Sequence, residues 1–249
     1  MELKDRIAFV TGGSGGLGSA IACRLAAAGA HVAIGYKSNT DAAEKVCQKV
    51  EGLKRRSTAV QLDQTDPGSI EAAVETTKHT FDGLDILVNN AAWNVPIPFP
   101  DLESLTPEIW DRLLNTNLRG PFLLARAAAP HLAKENSGRI VNVSAFIGLT
   151  PAGSSIAHAV SKAGLIHLTR CLAVALAPDV TVNCVAPGLM EGTRMSERVP
   201  PEAVDAMKKR AVLKRTTSIK DVAEQVLNFC RADSITGQVL VIDAGIHFH

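Results

Sequence analysis

Residues 6–18 read RIAFVTGGSGGLG. A short apolar run leads into TGGSGGLG (11–18), which sets five glycines within eight positions and then opens a helix-like segment. Gly13, Gly15 and Gly18 fit the spacing G-x-G-x-x-G, and Gly12, Gly16 and Gly18 fit G-x-x-x-G-x-G. Glycines allow a tight turn and let backbone come close to a pyrophosphate. The helix that follows would present its N–H groups and the positive end of its dipole to that anion. The motif is weak alone and informative between a strand and a helix near the start of the chain. It predicts a dinucleotide-binding turn with contacts from Gly12, Ser14, Gly16, Leu17 and Gly18.

The rest of the chain repeats the same rhythm. Strands are predicted at 6–12, 31–36, 57–63, 84–90, 139–145, 180–186 and 238–243. Several are almost wholly apolar, as strands covered on both faces must be. Helices are predicted near 16–29, 40–52, 67–81, 106–134, 153–177, 200–210 and 219–230. This alternation specifies an α/β fold, a doubly wound parallel sheet of about seven strands with helices on both faces. A length of 249 residues suits one domain over 1–249. Residues 187–218 interrupt the rhythm with PG, GT and PP, and are expected to form a substrate lid.

A net charge of +1 without a basic run argues against nucleic acid as a partner. The N-terminal residues read directly into a strand-like run, so no signal peptide is expected. No apolar stretch nears the roughly 20 residues that span a bilayer. The five cysteines show no metal-ligand spacing and suit reduced thiols, so a cytoplasmic location is expected. His31, His79, His131, His247 and His249 show no ligand spacing, so no metal site is predicted, and His167 is expected to be packed or on the surface. Trp93 and VPIPFP (95–100) follow the fourth strand and either shape a pocket or form a rigid loop.

The end of the second strand bears on the choice of dinucleotide. An acid about 20 residues past the glycines commonly holds the ribose 2′-hydroxyl of NAD. Here the strand ends in Tyr36, Lys37 and Ser38. That stretch carries no acid and offers a cation to a 2′-phosphate, so NADP(H) is favoured over NAD(H).

With these residues in place, the whole chain resembles the short-chain dehydrogenase/reductase family. TGGSGGLG is similar to its T-G-x-x-x-G-x-G, and LVNNAA (87–92) to its N-N-A-G, with Ala92 in place of the glycine. LNTNLRGPF (114–122), VAPG (185–188) and ITGQVLVIDAG (235–245) resemble further family segments. The resemblance implies a Rossmann-type fold and NAD(P)-linked alcohol–ketone chemistry. It implies adenine contact by Asp63, cofactor contacts by Asn90 and Ala91, and a helix-kinking, water-holding Asn117. Lys162 would hold the ribose, and Pro187, Gly188 and Thr193 would reach the nicotinamide. Thr193 stands one residue later than the commonest spacing. A homotetramer or homodimer is expected, with 106–134 and 153–177 at its interface.

The match departs at the reacting centre. The family's Y-x-x-x-K falls on His158-x-x-x-Lys162, and its serine falls on Ala145 with Ser144 adjacent. Tyr36 is the only tyrosine, so no realignment supplies a phenol. A spacing of four puts His158 and Lys162 on one helix face. A neutral imidazole beside a lysine is a credible base, whereas its protonated form would be scarce near neutral pH. Imidazole is shorter than phenol, and Ser144 would need a bulge or twist to replace the missing hydroxyl. Three readings follow. One is an NADP(H)-dependent oxidoreductase with Asn117, Ser144, His158 and Lys162 in the active site. The second is a non-redox isomerase, dehydratase or lyase with His158 as base. The third is a catalytically silent cofactor-binding protein.

Overall fold

The apolar runs pair side by side because each carries hydrophobic residues to both faces. In a computed structural model, which describes residues 1–133 and 137–248, they form β1 (Ile7–Val10), β2 (His31–Tyr36), β3 (Ser57–Gln61), β4 (Ile86–Asn89), β5 (Gly138–Val143), β6 (Val180–Pro187) and β7 (Val239–Ile242). The described strands make one parallel sheet in the order β3-β2-β1-β4-β5-β6-β7. Alternation along β1 divides the core: Ala8 and Val10 join one apolar cluster, and Ile7 and Phe9 the other.

Helices α1 (Gly16–Ala27), α2 (Thr40–Gly52) and α8 (Ile219–Arg231) cover the first face with Ile21, Leu25, Val46, Val226 and Leu227. Helices α3 (Pro67–Phe81), α5 (Gly120–Leu132) and α6 (Ile156–Ala175) cover the second with Ile70, Val74, Leu124 and Leu172. Strand order reverses between β1 and β4. The carboxyl ends of the strands at such a reversal leave a crevice open to a ligand. The glycine turn, Asn90, the end of β5 and the start of α6 all lie along that end of the sheet.

One sequence expectation is corrected. The helix predicted over 106–134 is α4 (Pro107–Leu114) and α5, joined by a single π turn at Asn115–Arg119. Position 134 lies outside the described residues. The break has a local cause. Pro121 has no N–H to give the carbonyl of Asn117, four residues earlier, so one rung of the α-helical ladder is missing there. A shorter discrepancy affects α6, which begins at Ile156 because Ser155 caps it by accepting from the His158 amide at 3.2 Å.

Residues 187–218 leave the sheet after β6. They hold a 3₁₀ turn at Ser196–Arg198 and α7 (Pro201–Arg210). Glu191 ties the two ends of this excursion, accepting from Lys208 at 3.1 Å and Thr216 at 2.7 Å. A Cβ on Gly16 would lie 3.1 Å from the Gly192 carbonyl, so the excursion reaches back over the glycine turn.

Candidate active site

The glycine turn is shaped by contacts that leave no room for side chains. Gly12 adopts φ +61°, and a Cβ there would lie 2.9 Å from the Ala91 Cα. A Cβ on Gly18 would lie 2.3 Å from the Gly12 carbonyl oxygen. Asn90 fastens the turn from β4, its side-chain amide donating to the carbonyls of Thr11 (2.9 Å) and Gly12 (3.2 Å). The Thr11 hydroxyl accepts from the amides of Asn90 and Ala91, both at 3.0 Å. Leu17 packs into the core, so only its backbone faces the turn. No side chain caps α1, and no acid stands in its first turn. A helix N-terminus left in that state suits a pyrophosphate.

At the far end of the crevice, Lys37 does not stand alone. Its ammonium lies 2.7 Å from the Asp63 carboxylate. Burial alone would raise the Asp63 pKa, but Lys37 and the Thr65 hydroxyl and amide hold it down at about 2. The sequence reading found no acid at the end of β2; the fold brings one from the segment after β3, because β2 and β3 run in register through Tyr36 and Gln61. Lys37, Ser38, Asp63, Asp66 and Ser69 line an open hollow of about 590 Å³. Tyr36 packs against the apolar core.

The candidate reacting centre lies between the end of β5 and the first turns of α6. Lys162 is buried, and its ammonium donates to the Val143 carbonyl at 2.9 Å. Ser144 donates back across the same junction, from its hydroxyl to the Lys162 carbonyl at 2.8 Å. A hydroxyl has one proton to give. The Ser144 proton is engaged in bracing strand to helix, and Ala145 brings no second hydroxyl. Burial lowers the Lys162 pKa to about 8.

His158 is 4% exposed. Burial, and next the positive charge of Lys162, push its pKa down to about 3, so the imidazole is neutral at physiological pH. Its Nδ1 lies 2.9 Å from the Ser154 hydroxyl, and Ser154 donates to Asn94 Oδ1 at 2.6 Å. Its Nε2 is buried with no hydrogen-bond partner among the described residues. Unpaired buried polar atoms are uncommon, and a catalytic role is one reason that they persist.

Asn117 sits in the π turn with its side chain committed. It accepts from the Trp93 amide and donates to the Trp93 carbonyl, both at 2.9 Å, and donates to the Ser161 hydroxyl at 3.2 Å. The Trp93 ring in turn lies beneath the Arg112 guanidinium, 4.0 Å from the ring centroid. The loop after β4 is therefore pinned over the cleft, a role that residue types alone did not assign. Thr11, Asn94 and Ser154 also escaped the sequence reading. Only Ser154, one helical turn before His158, carried a readable signal. Pro187 ends β6, and Gly188 packs so that a Cβ would lie 2.6 Å from the Thr217 hydroxyl. Thr193 lies beside Gly16, its Cγ2 3.6 Å from where a Cβ would stand.

Among the described residues no group of three or more His, Cys, Asp or Glu side chains could hold a metal ion. His249 lies outside them. No described helix is long and apolar enough to cross a membrane.

Known proteins share this architecture over nearly their full length. A family model described as enoyl-(acyl carrier protein) reductase matches residues 12–247. A ketoacyl reductase candidate of the granaticin polyketide synthase from Streptomyces violaceoruber is 40% identical over 243 residues, 97% of this chain and 96% of that one. The 3-oxoacyl-[acyl-carrier-protein] reductase FabG of Thermotoga maritima is 34% identical over 251 residues, 99% of each chain. A short-chain dehydrogenase of Burkholderia cenocepacia, solved in complex with NADP, is 38% identical, covers 99% of each chain and matches with a TM-score of 0.91. The glycine turn, the sheet order and these relatives agree: the chain belongs to the short-chain dehydrogenase/reductase family.

Proposed function

We propose that the protein is an NADP(H)-dependent oxidoreductase that interconverts a carbonyl and an alcohol, with His158 as the group that exchanges the hydroxyl proton. The observation that carries this reading is the buried, unpartnered Nε2 of His158, one helical turn before Lys162. A nicotinamide cofactor, when bound, supplies the hydride exchange. The chain's own contribution is binding, orientation and proton transfer.

Backbone groups of Ser14, Gly16, Leu17 and Gly18 are suited to the pyrophosphate at the uncapped start of α1. Asp63, Asn90 and Ala91 flank the adenosine half. Lys37 and Ser38 line the hollow that would take a 2′-phosphate. Lys162 is the group for the ribose, and Pro187, Gly188 and Thr193 for the nicotinamide. The relative solved with NADP supports the same preference. Residues 187–218, tied at Glu191, are the lid.

In the oxidation direction the Nε2 lone pair takes the alcohol's proton. In the reduction direction the same atom must first be protonated. With a pKa of about 3, about one imidazole in 10⁴ is charged at pH 7. The site therefore favours alcohol oxidation, and its reductase activity is acid-dependent. Ser144, engaged with the Lys162 carbonyl, steadies the lysine. Asn117 holds the loop through Trp93, and its carbonyl, which Pro121 cannot pair within an α-helix, is the place for a bound water. The relatives' names point to 3-oxoacyl and 3-hydroxyacyl thioesters as the first substrates to try.

The protein is also proposed to be a cytoplasmic homotetramer or homodimer. Its five cysteines are free thiols. The outer face of α4, α5 and α6 carries a hollow lined by Leu114, Leu118, Phe122 and Leu168, and Val174 of α6 is 82% exposed. An apolar face of this kind suits a second copy.

Four outcomes are expected. With N-acetylcysteamine thioesters of 3-hydroxy and 3-oxo acids, and simple secondary alcohols and ketones, His158→Ala lowers kcat by roughly 10²–10⁴-fold. In the wild type, reduction quickens as pH falls from 7 toward 5 by up to about tenfold per unit, while oxidation does not. Full activity in His158→Ala would contradict the role of His158, and substrate conversion with no net cofactor turnover would replace a redox enzyme with an isomerase, dehydratase or lyase. In a fluorescence titration, Lys37→Ala weakens NADPH binding about 10–100-fold and leaves NADH unchanged; equal wild-type affinity for the two would refute the preference. Light scattering of Phe122→Glu/Val174→Glu should show smaller particles than the wild type, and a monomeric wild type would end the oligomer proposal.

A further inference from the structure

His158 has two ring nitrogens, and a base needs the lone pair on the one that faces the substrate. Which nitrogen holds the proton is set by the hydrogen bond the other makes. The surroundings of His158 bear directly on that choice.

Ser154 Oγ lies between two partners, Asn94 Oδ1 at 2.6 Å and His158 Nδ1 at 2.9 Å. Asn94 Oδ1 is an acceptor only, so the single Ser154 proton goes to it. The Ser154 oxygen can then meet His158 Nδ1 only as an acceptor. Nδ1 must carry the ring proton, and Nε2 is left as a bare lone pair. The burial of Nε2 argues the same way. A buried N–H with no partner is rarer than a buried acceptor with none. The opposite tautomer would strand a donor at Nε2 and set two lone pairs, of Ser154 Oγ and Nδ1, against each other.

The fold holds this chain of bonds in place at both ends. The Ile97 amide donates to the Ser154 carbonyl at 2.7 Å, which docks the loop after β4 onto the start of α6. The Trp93 backbone, one residue before Asn94, is clasped by Asn117. Ser155 caps α6 through the His158 amide and so sets the helical phase that brings His158 one turn past Ser154.

We propose that Ser154 and Asn94 are positioning residues that hold His158 in its Nδ1–H tautomer and so reserve Nε2 for the substrate's proton. The chemical use of that lone pair rests on the proposed role of His158, but the tautomer itself does not. The test separates the two. The full-length, cofactor-free protein is labelled with ¹⁵N-histidine, and long-range ¹H–¹⁵N spectra are recorded at pH 7, with His158 identified by the signal lost in His158→Asn. The wild type is expected to show a protonated Nδ1 and an unprotonated Nε2. Ser154→Ala, which removes the acceptor, should shift a large share of His158 to Nε2–H, and Ser154→Thr should restore the wild-type pattern. Asn94→Leu releases the Ser154 proton and should give a mixture.

A wild-type protein with Nε2–H predominant overturns the proposal, as does a Ser154→Ala protein with an unchanged tautomer. The wild-type spectrum decides even where a variant fails to fold. On any substrate the wild type turns over, Ser154→Ala should lower kcat by at least about tenfold, with Ser154→Thr recovering most of it. Full activity in His158→Ala together with the expected tautomer would leave the bond chain intact and remove only the proposed chemistry.

Discussion

The ammonium of Lys162, buried and given to the Val143 carbonyl, sets the terms for the rest of the cleft. A charge taken out of water is costly unless it is hydrogen-bonded, and the end of β5 supplies the acceptor. Ser144 closes the clasp in the other direction by donating to the Lys162 carbonyl. Strand and helix are thus locked together at the residues proposed to act on a ligand. Burial, and next the same Lys162 charge, keep the His158 ring neutral. A protein with a phenol at this position would be helped by that field, since it stabilises a phenolate. An imidazole is instead held in its basic form. In the proposed mechanism, histidine in place of the family's tyrosine therefore shifts the site toward taking a proton rather than giving one.

The remaining parts of the site follow from where the chain crosses over. The order β3-β2-β1-β4 places the glycine turn after β1 beside Asn90 after β4, and the Asn90 amide then closes onto the carbonyls of Thr11 and Gly12. On the other side of β4, the loop through Trp93 and Asn94 reaches the start of α6. Asn117 can hold that loop because the π turn breaks the helix where Pro121 cannot continue it. Cofactor end and reacting end are thus joined through one short segment, residues 89–97.

Much of this was legible in the sequence, for identifiable reasons. Strands covered on both faces must be apolar, so LDILVNN and VTVNCVA announced themselves. The glycines of 11–18 were legible because steric demand leaves few other choices. The kink at Asn117 is implied by the family segment, but its form, a π turn that splits 106–134 into two helices, is not, although Pro121 carries the signal. The Lys37–Asp63 ion pair was not readable, because it depends on the register of β2 with β3. Ser154 was within reach, one turn from His158, but Asn94 lies sixty residues away, and only the folded loop brings it to Ser154.

The central claim is that His158 is a neutral base near pH 7, and the most direct measurement is its protonation as a function of pH. The ring resonances of His158 in the free, full-length protein can be followed by NMR from neutral pH downward. The account predicts no titration until the pH falls well below 5, with a midpoint in the region of 3 or loss of the fold before it is reached. A midpoint near about 6.5, the value of an unperturbed imidazole, would contradict it. It would show that neither burial nor Lys162 governs the ring, and that the site can donate a proton as readily as it accepts one.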